Sequence, residues 1–138
     1  MIPVLALALH ADQTQAALNY WAGLLAVFQV DAIYYFGGNA EHWGAFKHMR
    51  DAIPYEAPVG AEVVIVTPQG AQAMPGEIEL SSFAHPANAV YVFGADDAVL
   101  DVPFEGPRVY IPTRDLSAEL WSHQAGAALL WDRAVRGG

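Results

Sequence analysis

Apolar residues run unbroken from Val4 to Leu9, with none of the alternation of a half-exposed strand. Such a run suits a strand covered on both faces. Asp12 or Thr14 can then cap a helix. Ala16, Ala17, Leu18, Trp21, Leu24, Leu25 and Phe28 recur at helical spacing, which carries that helix to about Val27. Val30 to Phe36 ("VDAIYYF") is rich in β-branched and aromatic residues and reads as a second strand. Gly37-Gly38-Asn39 breaks it, and Asn39 can cap a short helix to about Asp51, with Trp43, Phe46 and Met49 on one side. Pro54 to Gly60 reads as a loop and Glu62 to Val66 as a third buried strand, stopped by the turn Thr67-Pro68-Gln69-Gly70. Ala71 to Gly76 is irregular, and Glu77 to Phe83 is predicted as one or two helical turns. Ala89 to Phe93 and Arg108 to Ile111 are the fourth and fifth strands. Ser117 to Arg136 is predicted as a long helix, with Leu120, His123, Ala127, Leu130 and Ala134 along one face.

Non-alternating strands interleaved with helices predict an α/β fold, an open and mainly parallel sheet with helices on both faces. In such sheets ligands collect outside the carboxyl ends of the strands. Repeats, linkers and low-complexity tracts are absent from the sequence, so residues 1–138 are expected to form one domain. Two runs draw attention to one sheet edge. "YVFGADDAVLD" (Tyr91 to Asp101) and "VYIP" (Val109 to Pro112) each end in polar, turn-forming residues.

Composition narrows the function. With 54% hydrophobic and 15% charged residues the chain is core-rich rather than disordered. It has no cysteine, which excludes a disulfide scaffold, a cysteine nucleophile and a thiolate metal site. The net charge of -9 repels nucleic-acid phosphates unless the six cations, Lys47, Arg50, Arg108, Arg114, Arg133 and Arg136, cluster. The opening "MIPVLALALH" lacks the basic start of a signal peptide. No run approaches the eighteen or so apolar residues of a membrane span. A soluble, cytoplasmic protein is expected.

The sequence contains neither a GxxxxGK[ST] phosphate loop nor a GxGxxG turn. The histidines His10, His42, His48, His85 and His123 show no metal-ligand spacing, so no metal site is expected. His10, at the end of the first strand, either faces a ligand or caps the turn. Ser81, Ser82, Ser117 and Ser122 lack the sharp turn that activates a nucleophile. Asp96 and Asp97 are either a solvated turn or ligand-facing. Trp21, Trp43, Trp121 and Trp131 fall on predicted helices, where core or dimer packing is the ordinary role, and Trp121 is placed to wall a pocket.

The last third, "NAVYVFGADDAVLD…RVYIPTRDLSAELWSHQAGAALLWDRAVR", resembles the C-terminal region of the SpoU (TrmH-type) branch of the SPOUT RNA methyltransferases. Gly94, Asp96 and Leu100 answer that family's Gly-x-Glu-x-x-Gly-Leu motif. Ile111 and Pro112 answer its Ile-Pro-Met, and Leu120 the centre of its Ser-Leu-Asn. Nearer the start, Phe28-Gln29-Val30-Asp31-Ala32 is similar to a helix ending in Phe-Gly-Val-Asp-Ala. There are departures. Ala17, Asn19 and Gly23 stand where the family's first helix carries Asn, Gly and a catalysis-associated Arg. Val99 stands for the second glycine, and Glu119-Leu120-Trp121 for Ser-Leu-Asn.

The resemblance implies a C-terminal trefoil knot holding S-adenosylmethionine, with a pocket lined by Thr67 and Pro68, Gly94 and Ala95, and Ile111, Pro112 and Leu120. It implies a homodimer and methylation of an RNA ribose 2'-hydroxyl. Arg114 would be the catalytic substitute for the absent helix arginine, and Lys47 and Arg50 would reach RNA from a partner subunit. Three readings stand at this point. One is an active, divergent methyltransferase. Another is an inactive member that keeps the dimeric knotted fold and acts as a binding or interaction protein, with a protein among its candidate partners. The third is an unrelated flavodoxin-like or doubly wound protein.

Overall fold

A computed structural model of the chain describes residues 5–10, 14–36, 53–54, 60–67, 76–94, 105–112 and 122–137. The five predicted strands are present as β1 (Leu5–His10), β2 (Ala32–Phe36), β4 (Glu62–Thr67), β6 (Ala89–Phe93) and β7 (Arg108–Tyr110). Two short strands extend the sheet at its margins, β3 (Ile53–Pro54) and β5 (Ile78–Glu79). The sheet order is β3-β2-β1-β6-β4-β7-β5, and every pairing among the described residues is parallel. Helices α1 (Gln15–Val27) and α2 (Ser122–Arg136) complete the α/β fold.

Two expectations are corrected. Glu77 to Phe83 is helical only in its second half. Ile78 and Glu79 pair with Val109 and Tyr110, and the chain then turns through a 3-10 segment at Leu80–Ser82. The β-branched Ile78 thus meets the open edge of β7, while Leu80 and Phe83 turn into the core. Likewise Pro54 ends a short strand beside β2 instead of opening a loop, an edge position where a missing N–H is tolerated. The helix expected over Asn39 to Asp51 lies outside the described residues.

The local chemistry of α1 matches its sequence. The Thr14 side chain accepts the N–H of Ala17 at 3.1 Å and caps the first turn. At the other end Gln29 takes a left-handed backbone (φ 53°) and the N–H of Val30 reaches back to the carbonyl of Leu25 at 3.2 Å. This is the pattern of a helix closed by a left-handed residue, usually glycine. Asp31 then ties the start of β1: its carboxylate accepts the Leu5 N–H, and its own N–H donates to the Leu5 carbonyl, both at 2.8 Å.

The sheet separates two apolar layers. On one face Leu7, Leu9, Val64, Val66, Tyr91 and Phe93 pack with Leu18 and Trp21 of α1 and Leu129 and Leu130 of α2. On the other, Ala6, Ala8, Phe36, Ile65, Val90 and Val92 form a second cluster. Each large side chain withdrawn from water contributes on the order of 2–3 kcal/mol. The buried face of α2 is Ser122, Ala125, Gly126, Leu129, Leu130 and Arg133. It is rotated from the expected one: Leu130 is buried, but His123 and Ala127 are half-buried and Ala134 is exposed. Gly126 sets the helix spacing, because a Cβ there would lie 2.4 Å from the Trp21 ring. With Tyr20 stacked on His123 at 4.5 Å, α1 and α2 run side by side.

Candidate functional site at the carboxyl edge of the sheet

Parallel pairing carries the strand ends to one edge. Leu9 and Val66 both lie opposite Phe93, and Thr67 lies opposite Tyr110. The same register therefore puts Thr67 and His10 on either side of Gly94, the residue after Phe93, and puts Ile111 and Pro112 just beyond Tyr110. Of the residues expected to line a pocket, Thr67, Gly94, Ile111 and Pro112 are thus gathered at the ends of three adjacent strands. Thr67 and Gly94 are buried, Ile111 is half-buried and Pro112 is exposed. Pro68, Ala95, Leu120 and Arg114 lie outside the described residues, as do Asp96, Asp97, Trp121, Lys47 and Arg50.

Two side chains that sequence reasoning passed over fasten this edge. Glu77 places a carboxylate oxygen against the Thr67 hydroxyl, which also lies 3.2 Å from the carbonyl oxygen of Val109. Ser122, in the first turn of α2, donates its hydroxyl to the carbonyl of Gly94. Both bonds join residues far apart in sequence, and neither residue stands in a motif that would single it out. The Gly94 carbonyl is thereby drawn toward the helix layer, and the strand ends are cross-tied.

A second polar group lies at the opposite end of α2. The His85 side chain is 1% exposed, with Nδ1 2.7 Å from the Tyr91 hydroxyl and Nε2 2.7 Å from Asp132 Oδ2. A carboxylate only accepts, so Nε2 carries the proton and donates to Asp132. Nδ1 then accepts from the Tyr91 O–H, whose oxygen accepts from Arg133 at 3.1 Å. Arg136 closes the chain on Asp132 and also donates to the carbonyls of Leu80 and Phe83. Arg133 donates to the carbonyls of Pro86 and Ala87. Burial holds the His85 pKa below its ordinary value, against the pull of Asp132. The hydrogen bond from Arg136 holds Asp132 below the usual carboxylate range, and burial pushes the Tyr91 hydroxyl up. The group is a fastening between α2 and the segment entering β6. It occupies two of the six cations in the sequence. The Asp132–Arg136 spacing of four residues was its one readable sign.

Among the described residues no cluster of three or more His, Asp or Glu side chains gathers to hold a metal. None of their helices is long and apolar enough to cross a membrane. A depression of about 230 Å³ beside Leu5, Phe28 and Leu130 lies at the far end of the sheet, where Arg133 donates to the carbonyls of Pro86 and Ala87.

No protein-family model matches the chain, and neither does any curated protein. Solved structures do. The AdoMet-bound rRNA methyltransferase from Sinorhizobium meliloti superposes with a TM-score of 0.74 over 100% of this chain and 59% of its own, at 14% identity. The SpoU methyltransferase AviRb from Streptomyces viridochromogenes, in complex with AdoMet, gives 0.76 over 99% of this chain and 58% of its own, at 11% identity. A structure described as bearing on the 2-OH methylation of C/U34 on tRNA gives 0.71 over 98% of this chain and 92% of its own, at 16% identity. The chain has the SpoU/TrmH methyltransferase fold. It spans under two thirds of the first two proteins' length and nearly all of the third. The strand ends that gather Thr67, Gly94 and Ile111 are those that the sequence resemblance marked. The first helix departs from the resemblance as its sequence does. Ala17 is buried in the core, Asn19 and Gly23 are exposed, and α1 contains no charged residue at all.

Proposed function

We propose that this chain is an S-adenosylmethionine-dependent RNA methyltransferase of the SpoU/TrmH kind, acting on a ribose 2'-hydroxyl, and that residues 1–138 form a single domain. The observation that carries the reading is the meeting of Thr67, Gly94 and Ile111 at the ends of three adjacent parallel strands. The residues there suit the cofactor. Gly94 offers backbone without a side chain, Ile111 an apolar wall, and Thr67 a hydroxyl braced from behind by Glu77. Pro68, Ala95, Pro112 and Leu120 complete the proposed lining, within the knot that the family resemblance implies.

The cofactor supplies an electrophilic methyl group on a sulfonium. The protein's part is to hold that group in line with the attacking oxygen and to help remove the hydroxyl proton. Arg114, which follows Pro112, is the proposed group for steering phosphate and stabilising the developing alkoxide. A homodimer is supported by large apolar side chains left outside on the two neighbouring helices. Tyr20 and Val27 on α1 are 57% and 74% exposed, and Trp131 and Val135 on α2 are 60% and 58%.

A second reading has specific support. The net charge is -9, α1 has no arginine, and Arg133 and Arg136 are spent on fastening α2. These features favour a chain that keeps the fold and the cofactor edge but binds a partner without catalysis. Two measurements separate the readings. S-adenosylmethionine should raise the melting temperature of the purified protein through linkage. No shift at millimolar cofactor would sink the methyltransferase reading. Transfer of labelled methyl to RNA then distinguishes enzyme from binding protein.

A further inference from the structure

The depression at the far end of the sheet is lined by Leu5, Phe28, Leu130, Ala134, Gly137 and one polar side chain, Arg133. Arg133 is 9% exposed, and a guanidinium carries five N–H donors. Nη1 uses two of them, on the Pro86 carbonyl and the Tyr91 hydroxyl, and Nη2 uses one on the Ala87 carbonyl. The consecutive carbonyls of Pro86 and Ala87 take the Nη1–Nη2 end of the fork. Nε–H and the Nη2 hydrogen beside it are left, and among the described residues nothing accepts from them. Two neighbouring donors on one guanidinium edge are the arrangement that grips a carboxylate through parallel bonds. With Tyr91 under its face and Pro86 and Ala87 at its end, this edge is what remains of the guanidinium for the depression.

The charge of Arg133 is also unanswered. Buried cations are ordinarily paired with an anion. Among the described residues the ion pairs join Asp132 to His85 and Arg136, and none includes Arg133. Asp31, beside the depression, is held by the Leu5 N–H. A cavity of about 230 Å³ is smaller than the roughly 300–1,000 Å³ of sites for drug-sized ligands, so the occupant is small. Its other walls are apolar. A carboxylate on a short hydrocarbon body answers both the open edge and the walls. The C-terminal ends of both helices lie here too, and their partial negative charge opposes an anion. That field falls off within a turn, and part of it is met: the Phe28 N–H caps the Leu24 carbonyl and the Gly137 N–H caps that of Arg133. Two charge-assisted bonds at contact outweigh what is left.

We propose that this depression binds a small aliphatic monocarboxylate, gripped by the Nε edge of Arg133 and enclosed by Leu5, Phe28, Leu130 and Ala134. The site lies away from the cofactor edge and does not depend on the methyltransferase reading. An occupant would stiffen the fastening of α2, because the same guanidinium holds Pro86, Ala87 and Tyr91.

The test is calorimetric titration of the full chain with sodium hexanoate at constant ionic strength, with hexanol and inorganic phosphate as controls. Hexanoate should saturate with a Kd of about 1 mM, the scale for so few atoms, and should raise the melting temperature. Hexanol keeps the body without the charge and phosphate the charge without the body, so each should bind about tenfold more weakly. Ala134 is exposed and takes no part in the fastening. Ala134→Phe should therefore fill the depression and weaken hexanoate about tenfold, with a melting temperature near the wild-type value. Arg133→Lys should weaken it as much, and the Arg133 Nε–H resonance, absent from that variant, should move as wild type binds. No saturable binding by wild type, or wild-type affinity in Ala134→Phe, would overturn the site. Phosphate or hexanol binding as tightly as hexanoate would overturn the carboxylate assignment. If Arg133→Lys does not fold, Ala134→Phe decides.

Discussion

His85 and Asp132 meet through a 2.7 Å hydrogen bond although 47 residues separate them. The bond has a direction, from Nε2–H to carboxylate, because a carboxylate only accepts, and Tyr91 then donates to the other ring nitrogen. Stability therefore depends on His85 staying neutral. Because burial holds its native pKa below 6.5, the unfolded chain takes up a proton first as pH falls. The stabilisation is complete above about 6.5 and is lost as pH drops from there toward the native value. The depressed Asp132 adds a further loss below about 3.8. The denaturation midpoint should accordingly fall between pH 7.5 and 5.5, more steeply in wild type than in His85→Gln. Equal slopes would remove His85 as the source.

Arg133 tests the same fastening from its cationic side. The residue is 9% exposed, and its guanidinium reaches two carbonyls and the Tyr91 hydroxyl and lies 5.8 Å over the Tyr91 ring centre. Arg133→Ala should cost about 3 kcal/mol, since hydrogen bonds to charged groups contribute roughly 1.5–3 kcal/mol each. Arg133→Lys should recover less than half, because an ammonium cannot span both carbonyls in a fork. Urea denaturation measures both, and equal stability of Lys and Arg would show that only charge matters.

Gln29 is the left-handed residue that ends α1. Left-handed backbone costs a side-chain-bearing residue roughly 1 kcal/mol or more. Gln29→Gly should therefore raise the melting temperature by a few degrees. Gln29→Val should lower it, since a β-branched residue fits that conformation worst. A glycine variant no more stable than wild type would show that the helix end relaxes without cost.

Gly126 and Trp21 fix the approach of the two helices. A methyl group at 126 would sit 2.4 Å from the indole of a fully buried Trp21. Gly126→Ala should destabilise by about 1–3 kcal/mol, the range for overpacking, despite alanine's better helix propensity. Trp21→Phe in the same chain should restore part of the loss. Additive losses in the double variant would place the clash elsewhere.

Much of the fold was readable because long strands advertise themselves. Val4 to Leu9, Val63 to Val66 and Ala89 to Phe93 are apolar without a break, and each run became a largely buried strand within a residue of its expected bounds. Strands of two residues carry too little pattern to be seen, so Ile53–Pro54 and Ile78–Glu79 emerged only from their neighbours' open edges. The buried face of α2 was misjudged for a related reason. Ser122, Gly126 and Arg133 are not apolar, and their burial follows from Gly94, Trp21 and three acceptors contributed by other segments. At the candidate site the motif positions Thr67, Gly94, Ile111 and Pro112 were named from the chain. Of the supporting side chains, Glu77 was not named and Ser122 was weighed only as a nucleophile, because their partners are supplied by other segments of the fold. Arg114, Ala95, Pro68 and Leu120 fall outside the described residues, so their part in the site stands as proposed.

The position of β6 also governs how the chain acquires its shape. Val90 is matched to Ala6 on one side and to Val63 on the other, so the strand completing the middle of the sheet is made after both of its neighbours. During synthesis, at roughly 5–20 residues per second, β1 waits with one edge unsatisfied and β4 with both, since β7 is also still to come. Long-range parallel pairing of this kind slows folding. A nascent chain stopped before Ala89 therefore holds two apolar strands with unsatisfied edges, ready to pair with each other or with a neighbouring chain. Arrival of Tyr91 and its neighbours satisfies the facing edges of β1 and β4 at once and brings in the hydroxyl onto which His85 and Arg133 close.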